Sequence, residues 1–297
     1  MHVSNTFFRF IIGKRGQTKM NIESETRTHF KIPREGDNQS NFIHIIGREK
    51  SAIALAKKRI EQLVKTSRLK QNITHFVSIP IGLDQNVRER YEQFKSYILS
   101  DVKCSTSKGI DESVFQNGMR FHITLRALYL GDLIEHKQVA KICETLKSTT
   151  LLREQKNPIK LHVKGLDIMN DDPMEAKILY AKVEEVSSDS SFKKIVNHIF
   201  DCFEPLAKDS NRFDDNADLK VKIHATILNS RYRNKGQFEA SNNHLKQSAN
   251  SKMDVTNILQ KYGDYDFGTV TFNQLHICGV GQRDQDEYYL TIGKIDF

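Results

Sequence analysis

The alternation of apolar and polar positions predicts a compact series of helices and strands in the first seventy residues. The predicted elements are helices at 7–12 and 18–23, strands at 30–32 and 42–47 flanking a polar turn at 34–41, and a long helix at 48–64. Gly13-Lys14-Arg15-Gly16 separates the first two helices. The basic and polar residues 65–72 are interpreted as a junction to the rest of the chain.

The remaining residues show strand patterns alternating with helical ones, which is typical of an α+β domain. Strands are predicted at 75–81, 121–128, 159–166, 178–183, 221–228, 270–278 and 288–292, and helices at 87–99, 135–146 and 191–203. The stretch Arg231–Asp254 is polar and lacks apolar periodicity, so it is predicted to be a surface loop. With 297 residues, the chain has room for two domains.

The positive charge is concentrated at the start of the chain. Residues 1–70 hold 15 Lys and Arg against 6 Asp and Glu, whereas the remaining 227 residues hold 30 against 31. A basic module beside a neutral one favours a polyanion-binding domain joined to a domain with another task. The alternative is a solvated basic face without a partner.

Other features narrow the class of protein. The sequence has 38% hydrophobic and 28% charged residues, with a mean hydropathy of −0.54, and no apolar run long enough to span a membrane. A soluble globular protein is therefore expected. The opening residues carry no secretory pattern. The four cysteines show neither zinc-ligand nor disulfide spacing, so we expect an intracellular protein without a metal or other cofactor.

The glycine loop can approach a nucleic-acid backbone closely. Gly13 and Gly16 permit positive φ, the following helix offers free N–H groups, and Lys14 and Arg15 add charge between them. Residues 10–18, followed by Ile22-Glu23 and Ile32-Pro33, closely resemble a type I KH domain. That resemblance implies a loop that clamps about four single-stranded nucleotides. It assigns Gly13, Lys14, Arg15, Gly16 and Lys19 to nucleic-acid binding.

The KH resemblance has one departure and one alternative. The family begins with a strand, and only Met1–Val3 are available for it here, so the first strand is expected to be missing or truncated. The alternative is a degenerate KH fold that contacts protein partners. Single-stranded RNA is the expected ligand, with single-stranded DNA as a rival because the loop does not require a 2′-hydroxyl.

Two segments 102 residues apart share one pattern. His122-Ile123-Thr124 and His224-Ala225-Thr226 each lie in an apolar strand, and residues i and i+2 of a strand point to the same face. Adjacent strands of this kind would bring two imidazoles and two hydroxyls into one cleft. His2-Val3-Ser4 shows that the bare tripeptide occurs by chance. His162 and His276 lack the hydroxyl, so core or surface roles are expected for them.

Two histidines and two hydroxyls are suited to phosphodiester cleavage. One imidazole can take a proton from the nucleophile while the other protonates the leaving oxygen, because the pKa of histidine lies near neutrality. The hydroxyls can hold the phosphoryl oxygens. No metal is required.

The paired motifs resemble the two-histidine phosphoesterase superfamily, which includes the 2′-5′ RNA ligase-like proteins. The resemblance covers residues 73–297, with 75–81 matching the opening strand. It implies a bilobal, pseudo-two-fold-symmetric fold with His122, Thr124, His224 and Thr226 as the catalytic residues. Members act on RNA ends, cyclic phosphates or 2′-5′ linkages, and some only bind nucleotides.

The combination of the two domains implies a particular cellular setting. A KH domain at 1–68 followed by such a domain at 73–297 resembles subunits of a helicase-containing signal cointegrator complex, and residues 170–173, 179–183 and 293–297 also fit. The resemblance implies a nuclear protein linked to transcription and alkylation-damage repair. The expected function is an RNA-directed two-histidine phosphodiesterase with a KH tether. The alternative is a non-catalytic, nucleotide-binding scaffold subunit.

Overall fold

The computed structural model of the chain describes residues 1–33, 42–153, 158–186, 191–208, 219–233 and 252–296. Its helices are α1 (Phe8–Ile12), α2 (Gln17–Thr26), α3 (Lys50–Leu69), α4 (Gln85–Ser100), α5 (Val102–Ser105), α6 (Leu133–Ser148), α7 (Thr150–Arg153), α8 (Ser191–Cys202) and α9 (Thr256–Tyr262). Its strands are β1 (His29–Lys31), β2 (His44–Ile46), β3 (His75–Ile79), β4 (Ile123–Leu128), β5 (Ile159–Ile168), β6 (Ile178–Glu185), β7 (His224–Asn229), β8 (Asp266–Phe272), β9 (Gln274–Arg283) and β10 (Tyr289–Asp296). Across these described ranges, no helix is both long and apolar enough to cross a membrane.

The N-terminal unit has the predicted order of elements. Strands β1 and β2 pair antiparallel, and helices α1, α2 and α3 pack on them around a separate buried core. The strand expected before α1 is reduced to a bridge between His2 and Phe42, supported by two hydrogen bonds between the main chains of Met1 and Ile43. The truncated first strand is therefore present as a single point of pairing.

The second unit is built on one antiparallel sheet. Among the described residues, eight strands lie in the order β10-β9-β3-β4-β7-β6-β5-β8. Strands β4 and β7 meet at the centre through a single registered pair, Ile123 and Ala225. This seam divides the sheet into two four-stranded lobes, as the predicted bilobal fold requires.

The helices of the second unit cover one face of the sheet. Helix α4 packs on β8, α6 on β10, α8 on β4 and α9 on β5. Inward side chains from both lobes join one continuous core with these helices. The opposite face of the sheet is therefore available for a functional site.

One predicted strand is wrong. The apolar stretch 270–278 forms parts of two strands, β8 and β9, which are separated by Asn273. The buried residues Val270 and Phe272 are followed by Leu275 and Ile277, so the alternation slips by one residue between the strands. That slip indicates the break, which a count of apolar residues alone overlooks.

Helix α9 was also outside the sequence prediction, because its start falls close to the polar stretch 231–254. Residues 231–233 and 252–254 of that stretch are described, and Met253 pairs with Ala176 in a bridge. The rest of the predicted loop lies outside the described residues, as does the predicted polar turn at 34–41.

Helix α3 continues into the predicted junction at 65–72 and ends at Leu69, beyond the predicted end of the helix at residue 64. Arg68 is buried there and joins the two units. Its guanidinium donates to the carbonyl of Tyr129 and to the carboxylate of Glu135, and it lies 4.8 Å from the ring centroid of Phe7. The second carboxylate oxygen of Glu135 accepts from Gly131 N at 2.6 Å. The two units are thus fastened by a buried ion pair.

Candidate active site and nucleic-acid interface

The two His-Thr pairs lie side by side on the open face of the sheet. Along both motifs the apolar residues enter the core, whereas the histidines and threonines are half-buried on the other face. Continuing the antiparallel register from Ile123 and Ala225 sets His122 opposite Thr226 and Thr124 opposite His224. The structure therefore brings together all four residues predicted from the sequence.

Backbone bonds fix the orientation of His122. Its Nδ1 lies 2.6 Å from the carbonyl oxygen of Arg120, and its Nε2 lies 3.1 Å from Oγ1 of Thr124. A carbonyl can only accept, so Nδ1 carries the proton in the neutral ring and Nε2 presents its lone pair. The imidazole thus has an unprotonated nitrogen beside the threonine hydroxyl.

His224 repeats the backbone bond of His122. Its Nδ1 lies 2.9 Å from the carbonyl oxygen of Lys222, again two residues earlier in the chain. The same donor–acceptor logic leaves Nε2 of each histidine as the nitrogen for proton transfer. The two lobes therefore hold their imidazoles by the same device.

An aromatic wall surrounds His122. The rings of Phe76 and Tyr289 have centroids 5.0 and 5.3 Å from the imidazole centroid, and the Tyr289 hydroxyl accepts a 2.6 Å hydrogen bond from Nε2 of Gln116. Burial raises the pKa of Tyr289 well above its usual value, so its hydroxyl stays protonated near neutral pH. Burial also lowers the pKa of His122 to about 4, and the charge of the nearby His224 acts in the same direction.

The second lobe contributes an aromatic and a basic side chain next to His224. Tyr180 and Lys182 of β6 lie opposite Thr226 and His224 in register, and the ring centroid of Tyr180 is 5.3 Å from that of His224. The site therefore has an aromatic residue beside each histidine and a positive charge in its second half. Both features suit a nucleotide, which offers stacking surfaces and phosphates.

The glycine loop forms a strained turn at the end of α1. Gly13, Arg15 and Gly16 all have positive φ, at 71°, 53° and 78°. A Cβ at Gly13 would lie 2.0 Å from Oγ1 of Thr18, so a side chain is excluded there. Lys14 and Arg15 are exposed, and α2 begins directly after Gly16. The loop therefore presents two cations next to the N-terminus of a ten-residue helix.

Lys19 lies one turn further along α2. Its ammonium is 3.7 Å from the carboxylate of Glu23 and 5.6 Å from the ring centroid of Phe30. It remains partly exposed, and Ile12 and Met20 of the neighbouring helices have exposed apolar side chains. The helices that flank the glycine loop thus carry exposed cations and exposed apolar side chains, both of which can contact a single strand.

Comparison with known proteins agrees with this geometry. The model of the family described as the AKAP7 2′5′ RNA ligase-like domain matches residues 73–297. The chain belongs to this family. The KH domain model matches residues 1–62, so the fold predicted from the sequence, a KH domain before a two-histidine phosphoesterase-like domain, is confirmed.

A mouse protein named activating signal cointegrator 1 complex subunit 1 is similar along almost the whole chain. The two are 30% identical over 297 residues, which cover 98% of this chain and 81% of the mouse protein. Among solved structures, a phosphoesterase and Escherichia coli LigT complexed with NADP+ each match 76% of this chain and 99% of their own. Each is 9% identical, with TM-scores of 0.44 and 0.42.

The remaining sequence candidates lie elsewhere in this family member. His2 stacks edge-on against Phe42 in the KH unit. Nε2 of His162 lies 3.1 Å from the Asp266 carboxylate. His276 is buried with Nδ1 3.0 Å from the Tyr288 hydroxyl, and burial lowers its pKa to about 4. None of the three contacts the His122 or His224 rings among the described residues, as expected for His162 and His276 from their missing hydroxyl partners and for His2 from its chance tripeptide.

Sequence reasoning missed the aromatic wall. Phe76 stood in the predicted opening strand and Tyr180 in the matched stretch 179–183, both without a site role, whereas Tyr289 and Gln116 carried no motif. Tyr289 lies 167 residues after His122 in the chain, so no local pattern connects them. The described residues also contain no cluster of three or more His, Cys, Asp or Glu side chains placed to hold a metal ion.

Proposed function

We propose that this chain is a metal-independent two-histidine phosphodiesterase that acts on RNA or nucleotide phosphodiesters. His122, Thr124, His224 and Thr226 carry the chemistry, within a phosphoesterase domain at 73–297. The supporting observation is that both Nδ1 atoms are bonded to backbone carbonyls while both histidines face the same surface. Cleavage of short RNA oligonucleotides, analysed by chromatography of the products, tests the proposal.

The two histidines divide the proton transfers. Nε2 of His122 removes the proton from the attacking hydroxyl, whose oxygen forms the new bond to phosphorus. The bond from phosphorus to the leaving oxygen breaks, and that oxygen takes a proton from Nε2 of His224, which enters the step as the imidazolium and leaves it neutral. The hydroxyls of Thr124 and Thr226 donate to the non-bridging oxygens, where negative charge develops. His122 is assigned as the base because its lowered pKa keeps it neutral.

The pH profile of kcat/KM should follow from this assignment. The base must be unprotonated, and burial holds the pKa of His122 at about 4, below the ordinary value of about 6.5. On the acidic side of the profile, activity should therefore persist through pH 6 and fall as the pH approaches 4, where His122 becomes protonated. Initial rates at subsaturating oligonucleotide between pH 3.5 and 8 measure this limb. An acidic limb centred at pH 6.5 or higher would contradict the role of His122.

The KH domain at 1–68 is proposed to hold the single-stranded RNA. Lys14, Arg15 and Lys19 supply charge and the Gly13–Gly16 loop supplies a close backbone approach. Because Arg68 fastens the two domains, the bound strand would be held at a fixed distance from the phosphodiesterase cleft. This arrangement raises the local concentration of substrate without a flexible tether.

Reversing the charge of the loop should weaken binding strongly. Replacing Lys14 and Arg15 by Asp turns attraction for phosphate into repulsion, and we expect a loss of about 2 kcal/mol or more, roughly 30-fold in Kd. Fluorescence anisotropy with a ten-nucleotide RNA at several salt concentrations measures it. The wild-type affinity should fall steeply with salt.

The matched control changes the same charges on an exposed face of α3. Lys57 and Lys58 are both exposed, so K57D/K58D alters the net charge equally without touching the loop. Equal weakening in both double variants would mean that only overall charge matters, and that the loop is not the binding surface.

The cellular role is proposed from the mouse relative. The match runs through both domains, so we propose that this chain is also a nuclear subunit of a helicase-containing signal cointegrator complex, acting in transcription and alkylation-damage repair. Affinity purification of the tagged chain from nuclear extract, followed by mass spectrometry, tests this. Absence of a helicase among the co-purified proteins would reject it.

A further inference from the structure

A basic residue stands two positions before each histidine of the site. The segments Arg120-Phe121-His122-Ile123-Thr124 and Lys222-Ile223-His224-Ala225-Thr226 share the pattern basic, apolar, His, apolar, Thr. Phe121 belongs to the buried core, and Ile223 is partly buried and packs against that core. Arg120 ends a short 3-10 helix before β4, and Lys222 lies two residues before β7, so the neighbours of each side chain, and not strand alternation, locate the two cations.

The guanidinium of Arg120 is sheltered but poorly paired. Its side chain is 14% exposed, and its nearest carboxylate oxygen is on Glu287 at 3.8 Å, beyond hydrogen-bond distance. Its Nε is buried without a hydrogen-bond partner among the described residues. Burial raises the pKa of Tyr232 and of Tyr289, and the positive charge of Arg120 acts against both shifts, so Arg120 lies in the neighbourhood of these two residues. A sheltered cation with an unused donor calls for an anionic partner.

Lys222 also lies beside a tyrosine, in the other lobe, where it already has a hydrogen-bond partner. Its ammonium lies 5.3 Å from the ring centroid of Tyr180, whose hydroxyl donates to the carboxylate of Asp167 at 2.8 Å. Each lobe therefore places a cation beside tyrosine, with one carboxylate in the neighbourhood. The similarity between the two lobes therefore includes more than the four proposed catalytic residues.

The two cations lie with different tyrosines of the site. The ring of Tyr289 contacts His122, and the ring of Tyr180 contacts His224. Arg120 lies with Tyr289 of β10 and Lys222 with Tyr180 of β6, and these strands belong to different lobes. The two cations are therefore placed to bind two different anionic groups.

We infer that Arg120 and Lys222 are specificity-determining residues that bind the phosphates on either side of the one held between His122 and His224. The substrate class is then a nucleotide strand or strand end with several phosphates, rather than an isolated cyclic nucleotide. This inference rests on the proposed function for the position of the central phosphate. Charge-assisted bonds to phosphate are among the strong hydrogen bonds available in proteins.

Binding of three dinucleotides to the full chain tests the inference. All carry one 2′-O-methyl-protected phosphodiester, which blocks cleavage through the 2′-hydroxyl. One has no terminal phosphate, one a 5′-phosphate and one a 3′-phosphate, and all are too short to use the KH surface as well. We expect each terminal phosphate to tighten the wild-type Kd about tenfold, which is about 1.4 kcal/mol.

The variants should separate the two ends. R120Q should lose the gain from one terminal phosphate and K222Q the gain from the other, while both keep the backbone carbonyls that hold the histidines. R120K should retain most of the affinity gain that R120Q loses, because the positive charge is kept. Thermal melting reports whether each variant is folded. The control K141Q removes an exposed lysine from α6, on the helix-covered face, and should keep both gains.

The outcomes distinguish this inference from the proposed phosphodiesterase. If terminal phosphates add no affinity to the wild type, or if R120Q and K222Q each lose both gains equally, the inference is overturned. Cleavage of unprotected dinucleotides is measured in parallel. Cleavage without any gain from terminal phosphates rejects the inference alone, whereas the expected gains without cleavage of any RNA reject the catalytic proposal alone.

Discussion

Replacement of His122 or His224 by Gln is expected to lower kcat/KM for RNA cleavage by about 10²–10⁴-fold, because each variant loses one proton transfer in the transition state. Glutamine has a similar size and can still donate to the carbonyl of residue 120 or 222. The fold should therefore survive, and thermal melting should show it. Initial rates of oligonucleotide cleavage by purified full-length variants measure the effect.

The control for this prediction is His162→Gln. His162 lies on β5 beside Asp266 and does not contact either ring of the proposed site, so its variant should cleave at a normal rate. Activity of the wild type should also survive EDTA. Loss of activity in EDTA with recovery in Mg²⁺ would reject the metal-free mechanism, and full activity in either site variant would reject acid–base catalysis by that residue.

Removing Arg68 should lower the free energy of unfolding by about 3–5 kcal/mol. Its partner Glu135 is 3% exposed, so Arg68→Leu leaves a carboxylate buried without its cation and leaves the carbonyl of Tyr129 without a donor. The packing of the guanidinium on Phe7 is lost as well. Urea denaturation followed by circular dichroism measures the change.

A double-mutant cycle separates the ion pair from general disruption. Glu135→Leu alone should also destabilise the protein, because it leaves Arg68 buried and uncompensated. The double variant R68L/E135L should recover much of the loss, since apolar residues can replace a buried ion pair at little net cost. Strictly additive effects of the two changes would show that the pair does not couple the domains.

The effect of Arg68 on RNA cleavage should depend on substrate length. If fixed domain geometry presents the strand to the cleft, R68L should raise KM for ten-nucleotide RNA more than for a dinucleotide, because a dinucleotide needs only the cleft. Comparison of these two KM values in R68L would also show whether the KH domain acts by positioning the strand or only by its positive charge.

Local patterns predicted most of the elements. Period-two alternation located β4 and β7 and their His-Thr pairs, because side-chain direction in a strand depends only on the pleat. Helical periodicity located α3, α4, α6 and α8 for the same local reason. The positive φ angles of Gly13 and Gly16 were likewise foreseeable, since glycine is the residue type that adopts them readily.

Boundaries were less well determined where one pattern runs into the next. The slip between Phe272 and Leu275 divided a predicted strand into two, and α3 continued to Leu69 through residues that resembled a polar junction. In both cases a non-local contact decided the result. Antiparallel pairing of β8 with β5 and of β9 with β3 separates the strands, and burial of Arg68 against Glu135 extends the helix.

The sequence by itself determined which residues are available for the proposed chemistry: two His-Thr pairs, a basic glycine loop, and the order of elements around them. Only the tertiary structure decided how they are placed. Pairing of Ile123 with Ala225 across 102 residues, Nδ1 bonds to the carbonyls of residues 120 and 222, and the contact of Tyr289 with His122 all depend on chain segments that meet only in the folded state. Periodicity reports the direction of a side chain relative to its own strand, whereas hydrogen bonding and packing between distant segments determine what that side chain touches.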